Sequence, residues 1–325
     1  MRICIVGAGA IGGYLGAKLA LAGEQVTLIA RGAHLAAIRE RGLALEYANG
    51  ARDLATPALA TNDMRSAGPQ DVVVIAVKAH QLPALAPALP ALYGPDTAVV
   101  TAQNGIPWWY FQRHGGPYEG RRSAAVDPAG VAEAHVPAER VIGCVVYPAA
   151  ELAGPGVVRH IEGDRFTLGE LDGAKTERIQ QLAKVLTNAG LKAPVRPRIR
   201  AEIWIKLWGN MAFNPISALT RATLDIICHY PPTRGLAAAI MAEGQATAER
   251  LGIEFPISIE QRIAGAEQVG AHKTSMLQDI EAGRATEIDA LCGAVAELGR
   301  LVGVPTPSLD AVYASVKLLE RQGAP

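Results

Sequence analysis

Net charge is the first thing this chain lacks: 31 basic residues stand against 31 acidic ones in a length of 325. That balance gives no electrostatic reason to bind nucleic acid or an anionic membrane, so a small molecule is the more natural ligand. Long apolar runs are missing as well. No uninterrupted stretch reaches membrane-spanning length, and the first residues enter a strand-like run without the charged, apolar and cleavage regions of a secretory leader. The expected location is the cytoplasm. Cysteine is scarce, and Cys4, Cys144, Cys228 and Cys292 are too scattered for a disulfide framework or metal-ligand spacing. They read as small buried apolar residues. His80, His135, His160, His229 and His272 show no ligand spacing either, so no metal is expected, and the chain has no internal repeat.

Apolar residues are present in quantity. They make up 50% of the chain, ample for sizeable cores, and the length argues for two domains. The most informative stretch is the first: Arg2-Ile3-Cys4-Ile5-Val6 has the composition of a strand buried on both faces of a parallel sheet, and Gly7-Ala8-Gly9-Ala10-Ile11-Gly12 follows without a spacer. In that context Gly7 serves a tight turn, Gly9 lets backbone N–H groups approach a pyrophosphate, and Gly12 lets the next helix lie close on the strand. A helix over Tyr14 to Ala22 and a second strand over Gln25 to Ile29 complete the unit. Just beyond that strand, where an NAD-binding protein would place an acid against the ribose 2′-hydroxyl, stands Arg31. A dinucleotide carrying a 2′-phosphate, NADP, is therefore favoured over NAD, with Arg31 as the phosphate ligand.

Strand patterns continue at Leu43 to Tyr47, with Asn49-Gly50 as a turn into Ala51 to Pro57, then at Asp71 to Val77, Thr97 to Thr101, Arg140 to Tyr147, Val157 to Ile161 and Phe166 to Gly169. A helix is expected over Thr176 to Ala189. The prolines of Ala193-Pro194-Val195-Arg196-Pro197 suit an extended connection, which places the domain boundary between residues 195 and 196. Beyond it strand patterns vanish, and helical windows fall at 198–220, 234–251, 257–281, 286–302 and 307–321. The fold expected is an α/β, mainly parallel N-terminal domain (1–195) joined to an all-α C-terminal domain (196–325).

Lys206, Asn210 and Asn214 fall at i, i+4 and i+8 of one helix, a polar stripe flanked by Ile203, Trp204, Leu207, Trp208 and Met211. A lysine so placed can present donors to a carbonyl oxygen that gains negative charge, as a ketone reductase needs. An ordinary surface pair of Lys206 with Glu202 fits the spacing equally well. Thr286 can cap a helix with Asp289 three residues on, which puts Glu287 in the first turn, a common place for an acid on grounds of the helix dipole alone. Lys78 ends a strand, and Asn104 lies in Gln103-Asn104-Gly105 at the end of another. Each is either a ligand contact at a carboxyl strand end or a plain surface and turn residue.

Taken together, Gly7 to Gly13, Arg31, Val77-Lys78-Ala79, Gln103-Asn104-Gly105, Lys206-Leu207 with Asn210 and Asn214-Pro215, and Ser275-Met276-Leu277-Gln278-Asp279 with Thr286-Glu287-Ile288-Asp289 resemble the ketopantoate reductase (2-dehydropantoate 2-reductase) family. The motifs occur in family order across nearly the whole chain. The resemblance implies an NADPH-binding Rossmann-like domain and a helical domain that reduce 2-dehydropantoate to (R)-pantoate, toward pantothenate and coenzyme A. It implies that Lys206 is the catalytic lysine and that Glu287 orients substrate hydroxyl or catalytic water. Asn210, Asn214 and Ser275 match substrate-binding positions, and Lys78 and Asn104 lie near nicotinamide and substrate; Gly7, Ala8, Gly9, Ala10, Ile11, Gly12 and Arg31 would hold the cofactor. The partner expected is a small 2-keto acid, with a homodimer of the chain admitted. The alternatives are a reductase of another branched 2-oxo acid and a noncatalytic NADP sensor. Two departures stand out. His272 replaces the asparagine the family often has three residues before the serine. The connection over 107–139, opened by Pro107-Trp108-Trp109-Tyr110-Phe111, is long and aromatic, and reads either as a packed surface helix and loop or as a lid that reshapes the pocket.

Overall fold

The structure is a computed structural model that describes residues 1–323. The chain divides into two compact units. One consists of Met1–Gln103, Phe111–Arg122 and Ala129–Ile199; the other of Asn104–Tyr110, Ser123–Pro128 and everything from Arg200 onward. The single boundary expected at 195/196 lies just before the last crossing, between Ile199 and Arg200. It does not anticipate the two short excursions at 104–110 and 123–128, which belong with the helices.

In chain order the first unit runs β1 (Arg2–Val6), α1 (Ala10–Leu21), β2 (Gln25–Ile29), α2 (Gly32–Arg41), β3 (Leu43–Tyr47), β4 (Arg52–Ala55), β5 (Leu59–Thr61), β6 (Gln70–Ile75), α3 (Leu82–Leu85), β7 (Tyr93–Thr101), α4 (Val131–His135), β8 (Val141–Val146), β9 (Ala149–Gly154), β10 (Val157–Glu162), β11 (Phe166–Glu170) and α5 (Glu177–Asn188). Its main sheet has the order β11-β8-β7-β6-β1-β2-β5 and is parallel except where β11 meets β8. The strand order reverses at β1, which lies between β2 and β6, and the crevice at the carboxyl ends of such a switch is where open α/β sheets take ligands. The central strands are Val- and Ile-rich and buried, as two-sided coverage demands.

A second sheet, β4-β3-β10-β9, uses the strands read at 43–47, 51–57 and 157–161 and adds β9. Helix α1 lies between the two sheets. A Cβ on Gly16 would come within 2.6 Å of Leu28 on the main sheet, and one on Gly13 within 2.7 Å of Val158 on the small one. A helix buried on both faces is apolar all round, which is why α1 carries no amphipathic signature.

The second unit contains α6 (Ile199–Thr220), α7 (Leu224–His229), α8 (Pro231–Arg250), α9 (Ile259–Glu267), α10 (Ser275–Glu281), a π turn at Asp289–Gly293 that continues into α11 (Ala294–Val302), and α12 (Pro307–Gly323). The expected helix over 257–281 is two helices. Ser258 opens α9 with a reciprocal capping box to Gln261, and Thr274 starts α10 afresh by accepting from the backbone N–H of Leu277. The aromatics of the 107–139 connection are core rather than surface: Trp108, Trp109 and Tyr110 are buried in the second unit, where the Trp204 indole donates to the Tyr110 hydroxyl at 2.7 Å. Phe111 is buried in the first unit against His114 and Tyr118. All four cysteines are buried and form no disulfide among the described residues, and burial pushes the Cys4 thiol up to about 12. Among the described residues, no helix is long and apolar enough to cross a membrane.

Candidate active site

The glycine turn at the end of β1 is shaped by three backbone requirements. Gly7 has φ +99°, a conformation that L side chains rarely adopt, and it brings the backbone N–H groups of Gly7 and Ala8 to the carbonyl of Ile29 at the end of β2. A Cβ on Gly12 would lie 2.1 Å from the carbonyl oxygen of Gly7, so only glycine lets α1 start this close to the strand. Gly9, at the N-cap of α1, differs from both: a Cβ there meets nothing within 4 Å, and no side chain caps the helix. Steric need explains Gly7 and Gly12. It does not explain Gly9, whose bare backbone leaves the first N–H groups of α1 open to an anion, as a pyrophosphate site requires.

These environments separate two substitutions. Gly12→Ala should lower unfolding stability by about 1–3 kcal/mol through overpacking against fixed backbone. Gly9→Ala should leave stability within about 0.5 kcal/mol, as for an open surface position, yet weaken dinucleotide binding by placing a methyl in the cradle. Urea denaturation and cofactor titration of both variants check the contrast.

Arg31 sits at the N-cap of α2, exposed, and its guanidinium makes no ion pair or hydrogen bond among the described residues. It is available to a 2′-phosphate. His34, one turn on in α2, accepts from the backbone N–H of Gly156 at 3.0 Å, and burial holds its pKa below the usual histidine value. Lys78 is not at a strand end: β6 stops at Ile75, and Lys78 precedes a single 3₁₀ turn over Ala79–Gln81. The turn reaches back to the main sheet through Gln103, whose side-chain amide donates to the carbonyl of Val77 at 2.9 Å. The sequence shows Gln103 only as part of the Gln103-Asn104-Gly105 motif, because its partner lies in the separate connection after β6.

In the second unit, three residues far apart in sequence form one hydrogen-bonded line. Lys206 Nζ donates to Asn104 Oδ1 at 2.5 Å, and Asn104 Nδ2 donates to Glu287 Oε2 at 3.2 Å. Donating to one side and accepting from the other fixes which way the Asn104 amide faces. The backbone explains how Asn104 reaches this place. Gly105 has φ +83°, and a Cβ there would lie 2.5 Å from the carbonyl oxygen of Ala290, while Ile106 N–H donates to that same carbonyl at 2.9 Å. Ala290 lies within the π turn, and such bulges in a helix are frequent at functional sites.

Lys206, Asn210 and Asn214 share one face of α6, as their spacing predicts. Asn210 is half-buried and Asn214 buried, and among the described residues neither side-chain amide has a hydrogen-bond partner. Neither amide is among the fully buried atoms that lack a partner, so the two, one turn apart on a helix face, are open to a polar ligand. Ser275 is exposed in the first turn of α10, and His272 is half-buried just before it. The capping expected of Thr286 takes another form. Its hydroxyl accepts from the backbone N–H of Ile288 at 3.2 Å, while Asp289 turns away to Tyr313 and Lys317 instead of bonding back. Glu287 is half-buried at the head of the π turn, its carbonyl accepting from Leu291 N–H.

A doubly wound sheet with an open glycine cradle, together with a helical unit that holds a lysine against a polar line, belongs to the nicotinamide-dependent oxidoreductases. Two family models match within that class: Ketopantoate reductase PanE/ApbA over residues 3–173 and Ketopantoate reductase PanE/ApbA C terminal over 198–320. The chain belongs to the ketopantoate reductase family. It is 55% identical to a 2-dehydropantoate 2-reductase of Mesorhizobium japonicum, over 98% of each chain. Among solved structures it resembles a candidate ketopantoate reductase from Ralstonia solanacearum MolK2, at 45% identity and a TM-score of 0.94 with 99% and 98% of the two chains covered. It also resembles a D-mandelate dehydrogenase in a ternary complex with NADH and anilino(oxo)acetate, at 27% identity and a TM-score of 0.85, with 99% of each chain covered.

Proposed function

We propose that this protein reduces 2-dehydropantoate to (R)-pantoate with NADPH, the reductive step toward pantothenate and coenzyme A. The observation that carries this reading is the Lys206–Asn104–Glu287 line on the same unit as the unpartnered amides of Asn210 and Asn214. When bound, NADPH supplies the hydride that reaches the ketone carbon. Gly7 to Gly12 cradle its pyrophosphate and Arg31 pairs with its 2′-phosphate. Lys206, held by its bond to Asn104, donates to the ketone oxygen, which gains negative charge as the carbon is reduced; the lysine stabilises that oxygen and delivers its proton. Asn104 holds the ammonium in place. Glu287 accepts a hydrogen bond from the substrate's hydroxyl, Asn210, Asn214 and Ser275 bind the rest of the acid, and Lys78 contacts cofactor or substrate.

The D-mandelate dehydrogenase likeness keeps a second reading alive, in which another 2-oxo acid is the substrate. Rates of NADPH consumption with authentic 2-dehydropantoate and with a panel of branched and aromatic 2-oxo acids decide between them. The highest kcat/KM is expected for 2-dehydropantoate. A preference for another acid overturns the substrate, and no turnover with any member favours a noncatalytic NADP sensor. The proposal places the enzyme in the cytoplasm and admits a homodimer, which sedimentation of the purified chain measures.

A further inference from the structure

Glu287 is bracketed by two residues that both bond to the last helix. On one side, the backbone N–H and the hydroxyl of Thr286 both donate to Glu320 Oε1, at 2.7 and 2.8 Å. On the other, Asp289 receives the Tyr313 hydroxyl on one carboxylate oxygen at 2.7 Å and Lys317 Nζ on the other at 2.9 Å. Tyr313, Lys317 and Glu320 stand at i, i+4 and i+7 of α12, one stripe of a single helix. Lys317 Nζ also lies 3.5 Å from Glu320 Oε2, which joins the two halves. The helix grips the neighbours of Glu287, whose own carboxylate accepts from the Asn104 amide.

The grip is of the strong kind. Each bond has a carboxylate acceptor, Thr286 is buried, and the Glu320 carboxylate is shielded. Burial first, and then the bond to Asp289, pushes the Tyr313 hydroxyl up to about 12, so it stays a donor across the ordinary assay range. Ordinary packing of α12 needs none of these charges: Leu309, Val312 and Val316 already bury an apolar face. The polar stripe meets Thr286, directly before Glu287, and Asp289, two residues after it.

We propose that α12 is a positioning clamp for the substrate site, with Glu320, Tyr313 and Lys317 acting through Thr286 and Asp289 to fix the direction of the Glu287 carboxylate. This rests on the reading of Glu287 as a substrate-binding group. Loss of the clamp therefore acts on the keto acid and leaves the cofactor alone.

Glu320→Ala strands the two donors of Thr286 and should raise KM for 2-dehydropantoate about 10-fold, the scale of losing hydrogen bonds to a charged acceptor, with a smaller fall in kcat and unchanged NADPH affinity. Glu320→Gln keeps an acceptor oxygen and should restore most of the KM, which a purely structural role for the charge would not produce. Tyr313→Phe removes one hydroxyl on the other side, leaves the helix packing intact, and should raise KM about threefold; it carries the test if Glu320→Ala folds poorly. In a Glu287→Ala background neither substitution should raise KM further. A Glu287→Ala enzyme with wild-type kinetics overturns the reading of Glu287 and the clamp with it. An impaired Glu287→Ala beside silent Glu320→Ala and Tyr313→Phe, or fully additive effects in the double variants, overturns the clamp alone.

Discussion

Replacing Lys206 by alanine should cut the turnover of keto-acid reduction by about 10²- to 10³-fold while NADPH binds almost as before. The size follows from when the interaction acts. The ketone oxygen is neutral in the bound substrate and carries charge only as hydride arrives, so a donor aimed at it stabilises the transition state more than the ground state. Such a loss falls on kcat, and KM moves little. The fold should survive, because the side chain is only half-buried and alanine is the strongest helix former for an interior position of α6. Glu287→Ala is expected to divide the other way, weakening keto-acid binding more than turnover. Steady-state kinetics paired with NADPH fluorescence titration resolve the two patterns, and a Lys206→Ala enzyme with near-normal turnover would sink the mechanism.

Arg31→Ala should weaken NADPH by about 10- to 100-fold and leave NADH within about twofold. An exposed ion pair between side chains is usually worth less than about 1 kcal/mol, which would predict a change of only a few fold. A guanidinium pairing bidentately with a phosphate of nearly two charges is stronger, and Arg31 has no competing partner among the described residues. Because the residue is exposed, the difference between wild type and variant should shrink as salt is added. Equal losses for both cofactors, or a wild-type preference for NADH, would rule out pairing of Arg31 with a 2′-phosphate.

The sequence discloses what is local and conceals what is not. Strand, glycine turn and helix at residues 2–21 are readable because each glycine meets its constraint within one βα unit, and the Lys206–Asn214 stripe because the period of a helix places it. Strand β9 escaped because Ala149 to Gly154 is poor in β-branched residues and has little buried surface. The break between α9 and α10 has local marks, Gly270 at φ +79° and the Thr274 cap, which the helical window over 257–281 runs through. Neither Asn104 between Lys206 and Glu287 nor Asp289 turned toward α12 has any local signature, since their partners lie 102, 183, 24 and 28 residues away. Asp289 shows how a local rule fails: it stands three residues after Thr286, the spacing of a capping box, but the turn starts at Asp289 itself and its carboxylate takes two donors of α12.

The excursion at Asn104–Tyr110 governs how this enzyme can be recombined. A chimera cut at the proline-rich linker, taking 196 onward from one parent, would inherit Lys206 and Glu287 from that parent and the amide between them from the other. The π turn would likewise receive a foreign partner for the Ala290 carbonyl. Splices at 103/104, 110/111, 122/123, 128/129 and 199/200 keep each unit's residues of common descent. On the proposed roles, in which Arg31 sets cofactor preference and the Lys206–Asn104–Glu287 line handles the keto acid, the first can then be exchanged between relatives without breaking the second.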